Sequence, residues 1–205
     1  LIEKYGADSP LWYFFTINQP WDPKLFKEED IKDASRRFFM ILWNIFNFWQ
    51  MYCQKNPKSE IRNPKMVINK WVLAKLQETA NSVTKKLDAY DIVGAARELE
   101  NFVVEDVSRW HIRRIRNVMK SGSVESKETS AVLEYLLGEI SKLLAPFAPF
   151  ISEKIWMELG GSPTSPRLRR ASVHLEDWPA KKKLIKRDHR LLIDMEEVRR
   201  IVSVA

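Results

Sequence analysis

One run, Tyr90–Lys120 (YDIVGAARELENFVVEDVSRWHIRRIRNVMK), limits what this chain can fold into more than any other stretch. Its apolar residues fall at Ile92, Ala95, Ala96, Leu99, Phe102, Val103, Val107, Trp110, Val118 and Met119, close to a helical period. That period predicts one long helix spanning on the order of 40 Å. One side of it seals a core. The other turns basic toward its end at Arg109, Arg113, Arg116 and Lys120, with Arg114 beside them. Spacings of four, three and four place the first set on one face of a regular helix. Two readings of that face stand side by side. It meets something anionic such as RNA, or it is a solvated edge. In the second reading the cations favour the helix dipole, Glu105 pairs with Arg109, and Asp106 reaches Arg109 or Arg113.

The rest of the chain repeats the helical signal. Only six glycines stand against eight tryptophans and ten phenylalanines, which favours helices with large core fillers. Gly6–Asp8 predict a turn into a brief helix with Pro10 in its first turn. The dense run Trp12, Tyr13, Phe14 and Phe15 demands a packing neighbour. Residues 28–54 predict a long helix with an acidic first turn and an inner stripe of Ile31, Ala34, Phe38, Ile41, Leu42, Ile45 and Trp49. Asn44, Asn47 and Gln50 interrupt this oily run. They fit either a buried amide network or the edges of RNA bases. Two Asn-Pro steps in 55–66 break the chain. The next helix covers about Val67–Tyr90, with Val72, Leu76, Ala80, Val83 and Leu87 inside.

Asp91 is placed to cap the central helix, Gly122 to end it, and Ser123 to cap a helix over Val124–Leu144. In that helix Leu133, Leu136, Leu137, Ile140, Leu143 and Leu144 face inward. Pro146 and Pro149 announce a fifth helix. Phe147, Phe150, Ile151, Ile155, Trp156 and Leu159 close one end of the bundle. The segment 160–180 has no helical period. Ser172–Leu175 alternate weakly, as a short extended piece would. Arg167, Arg169, Arg170 and the block KKKLIKRDHR at 181–190 add positive charge before a last helix through Leu192, Met195, Val198, Ile201 and Val202.

The balance of 34 Lys and Arg against 27 Asp and Glu gives +7 and a pI near 9.4, which suits an anionic partner without proving one. The single cysteine, Cys53, excludes an intrachain disulfide and a cysteine-rich zinc site, and suits a reducing compartment. No apolar run reaches membrane-spanning length without charge. No phosphate loop or serine elbow is present, and His111, His174 and His189 lie far apart. Leu1 in the place of Met points to a piece of a longer chain. From residues alone the reading is an all-α array of five or six helices with basic surfaces.

Several motifs, in order along nearly the whole chain, carry a resemblance. They are KYGAD at Lys4–Asp8, RRFFMILWN at Arg36–Asn44, INKWVLAKL at Ile68–Leu76, FVVEDVSRWHIRRIR at Phe102–Arg116, LLAPFAPFISEKIW, and SVHLEDWP at Ser172–Pro179. Together they resemble the region after the catalytic core in class I aminoacyl-tRNA synthetases of the isoleucine, valine, leucine and methionine subgroup. The likeness is closest to the isoleucyl family in its archaeal or eukaryotic form. Valyl and leucyl relatives, or a non-catalytic helical RNA-binding or scaffold protein, are the competing assignments. Two departures stand out. His111 replaces a usual tyrosine, and Ser9-Pro10-Leu11 replaces Ala-Leu-Arg after Gly-Ala-Asp.

The resemblance implies an all-α anticodon-binding bundle with a small irregular C-terminal segment. It divides the chain into a junction segment (1–22), the bundle (23–160), and a connector opening a C-terminal helical region (161–205). The parent enzyme would join isoleucine to its tRNA using ATP and Mg2+, in the cytoplasm. Its catalytic and editing domains lie outside this sequence, so the chain alone is expected to be an inactive monomer, without cofactor, catalytic residue or metal. The implied tRNA-binding residues are Asn44, Asn47, Gln50, Arg109, Trp110, Arg113, Arg114, Arg116 and Lys120, and the implied partner is tRNA(Ile).

Overall fold

A computed structural model describes residues 1–19, 21–23, 25–52, 64–160, 172–179 and 189–204. Among them there is no β-strand, and the fold is all-α. The helices are α1 (Ile2–Tyr5), α2 (Asp8–Thr16), α3 (Glu28–Tyr52), α4 (Val67–Asp88), α5 (Ile92–Asn101), a π-helical segment (Phe102–Ile112), α6 (Arg113–Ser121), α7 (Val124–Leu144), α8 (Pro149–Glu158) and α9 (His189–Val204). A 3-10 turn at Val173–Leu175 lies between α8 and α9.

The caps follow the local chemistry. Asp91 accepts the Gly94 N–H at 2.9 Å, and Ser123 accepts that of Ser126 at 3.3 Å. Each satisfies a donor that the first helical turn leaves open. Gly122 sits at φ 63 and ψ 16, the left-handed conformation that ends α6. Pro149 occupies the first turn of α8. That helix start is capped from far away: Asp8 accepts the N–H groups of Phe150 at 3.2 Å and Ile151 at 2.6 Å.

Antiparallel pairing of α4 with the central helix is fixed at both ends. Lys86 pairs with Glu98 near the corner, and Asn69 meets His111 at the far end. Between them runs one large core. Trp12 stacks on Phe38 at 4.0 Å between ring centroids, so the aromatic run near the N-terminus finds its neighbour in α3. Phe14 of the same run stays exposed. The expected inner stripes of α4 and α7 are buried, apart from a partly exposed Leu87. From Ala131 to Ala145 every residue of α7 and its C-cap is buried, including the Glu139–Lys142 ion pair.

Three expectations need correction. The central helix is continuous, but its middle turns are wound as a π-helix. Its wider i→i+5 winding brings Val104, Asp106, His111 and Ile112 inside along with the predicted stripe. Ser172–Leu175 are not extended. Ser172 Oγ accepts the His174 N–H at 3.3 Å and closes a tight turn, while Glu153 accepts the Val173 N–H at 2.8 Å. Phe150 does not close the bundle and is largely exposed. The basic residues Arg167, Arg169 and Arg170, and the block at 181–188, lie outside the described residues.

Candidate nucleic-acid interface

The cationic residues gather where the π segment passes into α6. Arg113, Arg116 and Lys120 are exposed and make no hydrogen bond or ion pair among the described residues. All three lie in α6, so three- and four-residue spacings keep them on one side. Arg109 lies in the π segment and makes the ion pair that its four-residue spacing from Glu105 predicts, at 2.6 Å, although its side chain is 67% exposed. Asp106 meets neither Arg109 nor Arg113. It is ion-paired to Arg199 of α9.

Arg114 lies over the Trp110 ring and donates to the Trp110 carbonyl at 3.2 Å. Burial lowers its pKa from the usual range, with Arg113 and Arg199 adding repulsion. Three guanidinium groups therefore crowd this edge, an arrangement that stores attraction for an anion. Trp110 is 8% exposed. Its ring carries Arg114 and Arg199, and its indole N–H points to Met195 Sδ at 3.3 Å. It is a floor beneath the cations rather than an open stacking surface.

Beneath the same region lies a buried polar relay. His111 and Asn69 have no exposed surface. Asn69 Nδ2 donates to Glu128 at 3.2 Å and to Thr129 at 3.0 Å. That turns Asn69 Oδ1 toward His111 Nε2 at 3.1 Å, so Nε2 carries the proton. Glu128 also accepts the Lys65 N–H at 2.8 Å and the Met66 N–H at 3.2 Å, which secures the start of α4. Burial holds the His111 pKa down at about 3, and the ring stays neutral.

The amides of α3 do not form the buried network that one reading foresaw. Asn44 and Gln50 are exposed and Asn47 is half-buried, and none makes a hydrogen bond among the described residues. Trp43 lies beside them with 37% exposure, flanked by exposed Met40 and Met51. Sequence reasoning passed over Trp43. Its signal was the four-residue spacing to Asn47, which a count of apolar positions hides. It also missed Arg199, whose partner Asp106 is 93 residues away.

A family model described as the anticodon-binding domain of tRNA ligase matches residues 69–205. The chain belongs to this family. Within this anticodon-binding domain, the matched span takes in every cation of the edge, the floor tryptophan and α9. Relatives extend the likeness upstream over α3. The chain is 33% identical to an isoleucine–tRNA ligase of Deinococcus radiodurans over 210 residues, covering 100% of this chain and 19% of that protein. It is 33% identical to that of Thermus thermophilus over 213 residues, 100% of this chain and 20% of the other. An isoleucine–tRNA ligase of Methanopyrus kandleri matches at 32% over 188 residues, 87% of this chain and 17% of its own length. The domain thus spans about a fifth of these relatives.

A solved ternary complex of Agrobacterium radiobacter K84 LeuRS with tRNA and LeuAMS shares the fold, with a TM-score of 0.57 and 16% identity. It covers 93% of this chain and 21% of that one. Among the described residues, no group of three or more His, Cys, Asp or Glu could hold a metal ion, and no helix is long and apolar enough to cross a membrane.

Proposed function

We propose that this domain grips the anticodon stem and loop of tRNA(Ile) within an isoleucine–tRNA ligase of the archaeal and eukaryotic form. The observation that carries the reading is the set of unpaired, exposed cations, Arg113, Arg116 and Lys120, on one helix of an anticodon-binding domain. Guanidinium groups there meet backbone phosphates and set the orientation of the RNA. Arg109 joins them by exchanging Glu105 for a phosphate, and Trp110 supports Arg114 from below. The open side of α3 meets splayed bases: Asn44, Asn47 and Gln50 supply donors and acceptors, and Trp43 a stacking surface. A firm hold at this distance orients the acceptor end of the tRNA at the catalytic site.

The chemistry itself belongs to the ligase's catalytic domain, where ATP and Mg2+ activate isoleucine. The partners of this domain are then the catalytic and editing domains of the same protein, in the cytoplasm, with the domain itself monomeric. The relatives named as isoleucine–tRNA ligases, and the motif order, support this assignment over a valyl or leucyl one.

The test is a titration of the chain with tRNA(Ile), tRNA(Val) and tRNA(Leu) transcripts across a salt series. The parent should prefer tRNA(Ile). Arg113→Ala with Arg116→Ala should weaken binding and flatten the logarithmic salt slope by about one to two, since each phosphate contact contributes roughly 0.9. Trp43→Ala should weaken binding at unchanged slope. An unchanged affinity and slope in the folded double variant would remove the cationic edge from the interface. A preference for another transcript would reassign the ligase.

A further inference from the structure

The docking of α9 is unusual in its chemistry. Of its residues only Leu192 is buried. Its other anchors include Met195 against the Trp110 indole N–H, and Arg199 against Asp106. The Asp106 side chain is 3% exposed, and its Oδ2 has no hydrogen-bond partner among the described residues. Arg199 also packs on the rings of Trp71, at 5.6 Å, and Trp110, at 5.3 Å. Trp110 carries Arg114 in turn. A continuous line of contacts therefore runs from the C-terminal helix to the cationic edge: Asp106, Arg199, Trp110, Arg114.

A buried carboxylate with one idle oxygen is a poor fastener by itself. Desolvation offsets most of the attraction, and an apolar pair of similar volume holds a helix at least as well. What a buried ion pair supplies better is registry, because it is satisfied in one placement and severely unsatisfied in others. The π winding adds to this. Such turns recur at functional sites, and here the segment carries Asp106 and Trp110 together into the interior.

We propose that the Asp106–Arg199 pair is a positioning latch that seats α9 on the π segment and thereby holds Trp110 and Arg114 in the arrangement that receives the RNA backbone. The proposal rests on the tRNA-binding reading above. Neither Asp106 nor Arg199 touches RNA in it; both act through Trp110. Coupling of this kind is reciprocal. A displaced α9 loosens the grip on tRNA, and bound tRNA stiffens α9.

The deciding variant is Asp106→Asn, because charge and latch pull in opposite directions. The change raises the net charge of a chain that already carries +7. Long-range attraction alone therefore predicts equal or tighter tRNA binding. The latch predicts binding weaker by about 2- to 30-fold. It also predicts faster hydrogen exchange of the backbone amides at 191–204. Added tRNA(Ile) transcript should slow that exchange in the parent and fail to do so in the variant, a response that a merely structural contact would not give.

Arg199→Lys supplies the second arm. It keeps the charge, loses the planar fork, and should weaken binding in the same direction. Because Arg199 is on the rim of the fold, this arm carries the test if circular dichroism shows that Asp106→Asn unfolds. A parent chain that ignores tRNA refutes the RNA reading and the latch with it. A parent that binds, with folded variants binding equally well or better, refutes the latch alone.

Discussion

Replacing His111 by Gln should abolish a specific loss of stability in mild acid. The neutral ring donates from Nε2 to Asn69, and it is wholly buried. Its pKa falls from 6.5 in a free chain to about 3 in the fold, because burial disfavours the charged ring. Below pH 6.5 the unfolded chain takes up a proton that the folded chain refuses, so stability is complete above that pH and declines as the pH falls toward 3. The gradient approaches about 1.4 kcal/mol per pH unit. Between pH 7.5 and pH 5 the accumulated loss is therefore about 2 kcal/mol, insensitive to where below 5 the folded value lies.

The amide introduced by His111→Gln can still donate to Asn69 but cannot take the proton. Two buried carboxylates, Asp8 and Asp106, have pKa values raised by burial and titrate with the opposite sign. Taking the difference between parent and variant removes them. The assay is urea unfolding at pH 7.5, 6.5, 5.5 and 5.0, followed by circular dichroism. At neutral pH the variant loses some packing; the gap should then narrow by about 2 kcal/mol on going to pH 5. Parallel curves would show that His111 is solvated or charged in the folded state.

Two stability predictions follow from packing and caps. Trp12→Ala removes a fully buried ring stacked on Phe38 and should cost about 3–5 kcal/mol in chemical unfolding. A methyl at position 94 would lie 2.0 Å from Asp91 Oδ2, so Gly94→Ala expels the cap. It should cost less than the about 1 kcal/mol of Asp91→Ala, because Ala favours the helix over Gly, and it should cost nothing further in the Asp91→Ala background, as measured by thermal unfolding.

Much of the bundle was legible because its signals are local. Caps at Asp91 and Ser123, a left-handed Gly122 and Pro149 at a helix start each announce themselves within a few residues. The apolar stripe of α7 reads correctly for the same reason. Two misreadings come from long-range partners. Ser172–Leu175 alternate like a strand, but Glu153 of α8 takes the Val173 N–H and fixes a turn. Asp8 looks like part of a turn and instead caps a helix 142 residues away. Nothing in KYGAD encodes that distance.

The interface divides along the same line, and the π segment shows why. A hydrophobic period reports which residues are apolar, not how tightly the backbone is wound between them. Val103, Val107 and Trp110 are spaced so that an α-helix explains them, and the actual winding buries them too. The difference falls on the polar residues. An α-helical count offers Asp106 to Arg109 or Arg113, whereas it lies inside, paired with Arg199; the expected Glu105–Arg109 pair does form. Arg113 and Arg116 have no acidic neighbour at contact distance among the described residues. The cations the sequence marked in α6 are open to an anion, with no acidic residue three or four positions before them. Asp106, Arg109 and Trp110 share one stretch of this helix, which sets the latch beside the open cationic edge.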